Sequence, residues 1–288
     1  MSEASWDIRG KTCLITGPTA GIGRETALAL AERGANLVLV CRNRARGDET
    51  VREIREKTAN EQVELMIADL SSQEEIRRLA GAFLATQRPL HVLINNAGVF
   101  NLRRSTTVDG IETVFAVNHL AYFLLTMLLL ERLKESAPAR IVNVASDAHH
   151  WGTLDFDDLG GERRYRPMKI YGQSKLANIA FTYELARRLE GTGVTVNCLH
   201  PGAVGTRLGS NNGWVAGMLL PLLRPFMRTP EKGAETSIYL ASSPEVRGVS
   251  GKYFFDCRER RSSRESQDAE VGSRLWKLSE QLTGAVGA

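Results

Sequence analysis

Short runs of Val, Ile and Leu alternate along the chain with longer stretches in which apolar residues recur every three or four positions. The short runs predict β-strands at Thr12 to Thr16, Asn36 to Val40, Val63 to Ala68, Val92 to Asn95, Arg140 to Ala145, Thr195 to Leu199 and Lys252 to Phe255. The longer ones predict helices near 22–34, 44–58, 72–86, 111–135, 168–190 and 231–242. The strands are continuously apolar, as a parallel sheet covered on both faces requires. Strand–helix alternation over the whole length predicts a doubly wound α/β fold with a seven-stranded parallel sheet. No repeat or Pro/Ser-rich linker divides the chain, so a single domain over 1–288 is expected. Two segments break the rhythm: Trp151 to Lys169 is polar, and Gly213 to Met227 is strongly apolar with two prolines. Loops of that size in such a fold usually cover a site.

Charge narrows the partners. The 37 Lys and Arg against 33 Asp and Glu leave +4, too little and too scattered for nucleic acid. The tightest basic cluster, Arg258 to Arg264, is interrupted by Glu259 and reads as a solvated surface loop. Cys13, Cys41, Cys198 and Cys257 are widely spaced and read as reduced thiols, mostly in the core. The five histidines show no ligand spacing, and the adjacent His149 and His150 are expected to diverge, so no metal is expected. The polar N-terminus lacks a signal-peptide pattern. The longest apolar run, Leu120 to Leu130, contains Tyr122 and Thr126 and is about half the ~20 residues of a membrane span. It predicts a buried helix, no transmembrane segment and a cytoplasmic protein.

"TGPTAGIG", Thr16 to Gly23, lies between the first strand and the first helix. In an open parallel sheet the ligand crevice opens at the carboxyl ends of the strands. Glycines there permit positive φ and the close approach of a phosphate to the N–H groups and positive dipole end of a helix. Gly17, Gly21 and Gly23 therefore read as a pyrophosphate cradle. The second strand ends in Val40-Cys41-Arg42-Asn43-Arg44 with no acid. A carboxylate there would bind the ribose of NAD, whereas an Arg pairs with the 2′-phosphate of NADP. NADP(H) is preferred on this ground, with Arg42 its partner and NAD(H) still admissible. Asp69 in "IADLSS" either accepts from the adenine amino group or starts the next helix through Ser71.

"YGQSK" sets Tyr171 and Lys175 four apart on a helix, on one face. A cation ~4 Å from the phenol at an effective dielectric of ~20 is worth up to ~4 kcal/mol, near three pKa units, so Lys175 is expected to acidify Tyr171. Ser146 ends the buried strand of "RIVNVASDAHH" and presents a hydroxyl at the same carboxyl edge. Asn118 in "FAVNHL" is an amide in an apolar helix, where an unpartnered polar group costs ~1–3 kcal/mol. It either bridges to backbone and water or relays protons.

Together, Thr16-Gly17-x-x-x-Gly21-Ile22-Gly23, Asn95-Asn96-Ala97-Gly98, Asn118, Ser146, Tyr171-x-x-x-Lys175 and Pro201-Gly202 resemble the short-chain dehydrogenase/reductase family over nearly the whole chain, a Rossmann fold. "VNHLAYFLLTMLLLERLKESAPARIVNVASDAHHWG", "YGQSKLANIAFTYELARRLEGTGVTVNCLHPG" and "SGKYFFDC" are similar to its retinol dehydrogenase branch. The resemblance implies that Tyr171 exchanges the proton, that Lys175 lowers its pKa and binds the nicotinamide ribose, and that Ser146 binds the substrate oxygen. It further implies that Asn118 holds a water linking Lys175 to solvent. For the coenzyme it implies Gly17, Thr19, Gly21, Ile22 and Gly23 at the pyrophosphate, and Asp69 and Leu70 at the adenine. Asn95, Asn96, Ala97 and Gly98 would also contact it, Asn96 on the adenosine ribose side, with Pro201, Gly202, Val204 and Thr206 at the nicotinamide.

Two departures stand out: Trp6 is followed almost at once by the first strand, where membrane-bound members carry an apolar anchor, and Ala145 replaces the first of the family's two serines. The family builds its substrate lid after the nicotinamide loop, here around 205–229. The apolar content of Gly213 to Met227 points to a small lipophilic carbonyl or alcohol substrate; a subunit contact or a membrane-surface helix are the other readings of this segment. Many relatives are homodimers or homotetramers through the helices near 111–135 and 168–190. A non-catalytic NADP-sensing protein of the same fold is the alternative function.

Overall fold

The computed structural model describes residues 6–204 and 227–285. An eight-stranded sheet runs in the order β3-β2-β1-β4-β5-β6-β7-β8. Its strands are β1 (Thr12–Thr16), β2 (Asn36–Cys41), β3 (Val63–Ile67), β4 (Val92–Asn95), β5 (Ala139–Val144), β6 (Val194–Leu199), β7 (Lys252–Phe255) and β8 (Arg258–Arg260). All pair in parallel except β7 with β8. The helices are α1 (Gly21–Glu32), α2 (Arg44–Thr58), α3 (Gln73–Ala85), α4 (Thr113–Glu135), α5 (Pro167–Arg188), α6 (Pro230–Ser242), α7 (Arg264–Gln267) and α8 (Ala269–Thr283). Their starts follow side-chain chemistry: Asn43, Ser72, Thr229 and Asp268 each accept a first-turn N–H, capping α2, α3, α6 and α8.

Two apolar layers sandwich the sheet. Leu14, Val38 and Leu93 face α3, α4 and α5, joined by Trp276 of α8. Cys13, Ile15, Leu37 and Val142 face α1 and α6, with Trp6 at the edge. Both faces are dry, so the strands read as unbroken apolar runs. The run Thr113–Glu135 is apolar enough to span a membrane by composition, but 83% of its most apolar window is buried inside the fold, making it a core helix. All four cysteines are free thiols, three of them buried.

The sheet has one strand more than predicted. Arg258 to Arg260, read from sequence as a loop, turns back on β7 as an exposed antiparallel edge strand. The turn is made by Asp256 (φ +50°) and Cys257 (φ +58°), both left-handed. Two such central residues match the twist of a tight hairpin, and charged side chains suit an edge strand. The helices α7 and α8 were also not predicted; α8 folds because Leu275 and Trp276 are buried, Trp276 edge-on to Phe123. The order of strands reverses between β1 and β4, so the crevice opens above their carboxyl ends.

Candidate active site

Above those carboxyl ends lies a cleft of about 780 Å³. Its floor is the turn from β1 into α1, where Gly17 (φ +68°) and Gly21 (φ +56°) adopt left-handed conformations. A Cβ on Gly17 would come 2.9 Å from the Ala97 Cα, and one on Gly23 would collide with the Gly17 carbonyl. The turn is thus closed to side chains and leaves N–H groups at the start of α1 facing the space a phosphate would take. Thr16 ties this turn to β4: its hydroxyl accepts from the N–H groups of Asn96 and Ala97. Gly17, Thr19, Ile22 and Gly23 line the cleft, as do Arg42, Asp69, Leu70, Asn96, Ala97, Gly98, Pro201, Gly202 and Val204. Thr206 and the rest of the proposed lid around 205–229, apart from 227–229 at its end, lie outside the described residues.

One predicted coenzyme contact is displaced, and two cleft residues also carry structural bonds. Asn95 is not at the cleft: fully buried, its amide donates to Thr126 Oγ1 (3.0 Å) and Asn143 Oδ1 (2.9 Å), tying β4 to β5 and α4. Strand alternation turns it inward while Asn96 faces the cleft. The Asn96 Nδ2 group is engaged by the carbonyls of Thr16 (2.7 Å) and Gly17 (3.1 Å), so it braces the glycine turn. Asp69 Oδ1 accepts from Ser71 N–H (2.9 Å) just before Ser72, which caps α3 in place of Asp69, and Asp69 borders the cleft. Gly21 shapes the turn by its positive φ.

On the other wall stand Ser146, Tyr171 and Lys175. Ser146 follows β5 and opens a 3₁₀ turn, Asp147–Trp151. Its hydroxyl accepts from Ala148 N–H (3.2 Å) and lies near enough to the Tyr171 phenol to favour the phenolate. Phe100 packs edge-on against the Tyr171 ring at 5.6 Å. Lys175 Nζ donates to the Val144 carbonyl (3.0 Å) and stands 5.7 Å from the Tyr171 ring centre. The expected acidification of Tyr171 by Lys175 is not the dominant effect. Burial pushes the phenol up to about 12, against a lowering by the nearby Ser146 hydroxyl, and burial pushes the Lys175 ammonium down to about 7. Taking either charge out of water opposes its formation, and the Coulomb attraction across this distance does not outweigh that penalty.

Asn118 lies in a π-helical turn of α4, Ala116–Leu120. The extra residue of such a turn rotates one side chain out of helical register, often at functional sites. Here it brings Asn118 behind the cleft wall, fully buried. Its Oδ1 accepts from Val99 N–H (2.8 Å), and its Nδ2 donates to Val99 O (3.0 Å) and Ser174 Oγ (3.0 Å). It thus bridges to backbone, as one of its two sequence readings has it. A Cβ on Gly98 would lie 3.4 Å from Asn118 Oδ1 and 3.7 Å from Lys175 Nζ, so the absent side chain leaves these two groups facing one small space.

Sequence reading missed further cleft residues: Arg46, Trp151, Met168, His200, Arg228 and Phe255. Arg46 lies in the first turn of α2, four positions beyond Arg42. Phe255 ends β7 at the carboxyl edge, where ligands bind; Arg228 donates to Asp256 Oδ2 (3.0 Å) and stacks over Phe255. Trp151 and Met168, 62% and 47% exposed at the mouth, lie at the two ends of the Trp151 to Lys169 segment whose break in the pattern marks it as a site cover, although neither residue is itself marked. His149 and His150 do not diverge; their rings are 3.9 Å apart, and with Asp147 they bring donor atoms within 4.8 Å of one another. Both His149 nitrogens already have hydrogen-bond partners, Ser146 O and Ser263 N.

This geometry agrees with the comparisons. A protein-family model described as short chain dehydrogenase matches residues 11–213. Retinol dehydrogenase 12 of Mus musculus is 48% identical over 277 residues, covering 96% of this chain and 87% of that protein. A crystal structure of an uncharacterised protein from Mycobacterium paratuberculosis superposes with a TM-score of 0.80 at 33% identity, covering 99% of this chain and all of the other. The RhlG/NADP active-site complex of Pseudomonas aeruginosa gives 0.67 at 28% identity, over 88% and 96% of the two chains. The glycine turn, the Ser–Tyr–Lys wall and these likenesses converge: the chain belongs to the short-chain dehydrogenase/reductase family, in its retinol dehydrogenase branch, and is an oxidoreductase that acts on CH–OH groups with NAD(P).

Proposed function

We propose that the protein transfers hydride between NADP(H) and a lipophilic, retinal-like aldehyde, ketone or alcohol, with Tyr171 as the general acid/base. The observation that carries this reading is that Ser146, Tyr171 and Lys175 line the same cleft as the glycine turn, on the wall opposite it. The closed glycine cradle fits a dinucleotide pyrophosphate, and Arg42 and Arg46 border the cleft beyond β2, where a 2′-phosphate would be met by two guanidinium groups. NADP in the RhlG complex supports the same preference. The coenzyme supplies the hydride donor or acceptor at its nicotinamide carbon.

This chain's residues do the rest. Ser146 donates to the substrate oxygen and aligns it with the Tyr171 hydroxyl. In the reducing direction Tyr171 gives its proton to that oxygen, a role for which a phenol held high by burial is suited. In the oxidising direction it must first lose the proton, and the nearby Ser146 hydroxyl together with nearby positive charge favours the phenolate. Lys175 and Asn118 face the space below Gly98, where a water would continue the proton path. Exposed Trp151 and Met168 at the mouth favour an apolar substrate, as do the retinol-directed relatives. Retinal, medium-chain aldehydes and steroids, offered with NADPH and NADH, test the assignment. Turnover favouring NADPH and lost by about 10³-fold in Tyr171→Phe is expected. A Tyr171→Phe protein as active as the parent refutes it.

A further inference from the structure

Ser146 can act on Tyr171 only if β5 and α5 are held in register, because the two residues belong to different elements. The 3₁₀ turn after Ser146 rests on α5 with no side chain between them. A Cβ on Gly172 would lie 2.5 Å from the Ala148 carbonyl and 2.8 Å from the Gly152 nitrogen, and one on Gly152 would collide with the backbone of Gly172 and Gln173. Gly172 immediately follows Tyr171, and Gly152 ends the turn that Ser146 begins.

His149 completes the contact. Its ring is 1% exposed; Nδ1 lies 2.8 Å from the Ser146 carbonyl, and Nε2 lies 3.2 Å from Ser263 N. A carbonyl only accepts and an amide N–H only donates, so the imidazole is neutral with its proton on Nδ1. The His149 backbone N–H also donates to the Ser146 carbonyl (3.1 Å). Ser263 in turn caps α7, and next to it Ser262 bonds the Tyr183 hydroxyl of α5 (2.7 Å).

We propose that His149, acting with the Gly152–Gly172 backbone contact, is the positioning residue that sets the Ser146 hydroxyl against the Tyr171 phenol, and that it ties this pair to the C-terminal segment 262–267. The inference rests on the proposed hydride-transfer reading. Burial pushes the His149 imidazole down to about 4, in keeping with a neutral ring; Asp147, His150, His200 and the edge-on Tyr253 are the titratable groups that face it.

The test compares His149→Phe, which keeps a ring and loses both side-chain bonds, with His149→Asn, which retains a donor near the Nδ1 position. NADPH affinity is read by fluorescence, and kcat is measured across pH. In His149→Phe, kcat is expected to fall roughly 10- to 100-fold, as small misplacements of reacting groups do, with coenzyme Kd changed by less than about twofold. The apparent pKa for alcohol oxidation is expected to rise, because the Ser146 hydroxyl that lowers it is displaced from the phenol; His149→Asn is expected to recover part of kcat. Unchanged kcat and pH profile in His149→Phe overturn the proposal, and so does a kcat loss matched by an equal loss of coenzyme affinity. Nitrogen-15 NMR of labelled histidine in the unaltered protein is a readout independent of turnover and of variant folding. The Nδ1–H tautomer is expected from about pH 5 to 8, and an Nε2–H or charged ring in that range overturns the bridge. Absence of any turnover by the unaltered protein would refute the hydride-transfer reading alone.

Discussion

Replacing Lys175 by methionine is expected to make the coenzyme-free protein more stable while abolishing its activity. Lys175 is 3% exposed, and its ammonium falls from 10.5 to about 7 on burial. At ~1.4 kcal/mol per unit, that shift is a penalty of roughly 5 kcal/mol for holding the charge in the fold. Methionine has similar volume and no charge, but the bond to the Val144 carbonyl is lost, which returns ~1–3 kcal/mol. The net gain is roughly 2–4 kcal/mol at neutral pH and below. Its pH dependence is the sharper test. Below about 7 both folded and unfolded chains bind the lysine proton, and the penalty is constant. Between about 7 and 10.5 only the unfolded chain keeps it, so the parent regains stability at ~1.4 kcal/mol per pH unit and the variant does not. The stability gap should therefore narrow by ~2–3 kcal/mol between neutral pH and two units above it. Urea unfolding followed by circular dichroism, without coenzyme, measures it at each pH. A gap that is flat across that range, or a variant less stable than its parent at acid pH, refutes the assignment of Lys175 as a buried, desolvated ammonium.

Exchange of Arg42 for Asp is expected to shift the NADPH/NADH preference by about 10- to 100-fold toward NADH, since one charge-assisted contact worth ~1.5–3 kcal/mol becomes a repulsion; the ratio of kcat/KM values measures it, and an unchanged ratio removes Arg42 from the 2′-phosphate site. Asn118→Ala removes three buried hydrogen bonds to Val99 and Ser174 and is expected to lower stability by ~2–4 kcal/mol, with activity falling further than melting temperature explains; thermal unfolding and single-turnover rates separate the two effects.

The β1–α1 glycine turn, the order of strands and helices, and the Tyr171–Lys175 spacing were all legible in the chain because they are local. Positive φ demands glycine, burial on both faces writes unbroken apolar strands, and residues four apart share a helical face. Pairing strength was not legible: whether Lys175 acidifies Tyr171 depends on how much water each loses, which is set by segments remote in sequence that pack around them. The same limit hid β8, whose Asp256-Cys257 turn carries no glycine, and the closeness of His149 to His150. It also hid the inward turn of Asn95 and the hydrogen bonds that make Asn96 a brace. Sequence determined which groups gather at the carboxyl edge of the sheet. Only the tertiary structure decided their separation, solvation and hydrogen-bond partners, because those are properties of the space between elements.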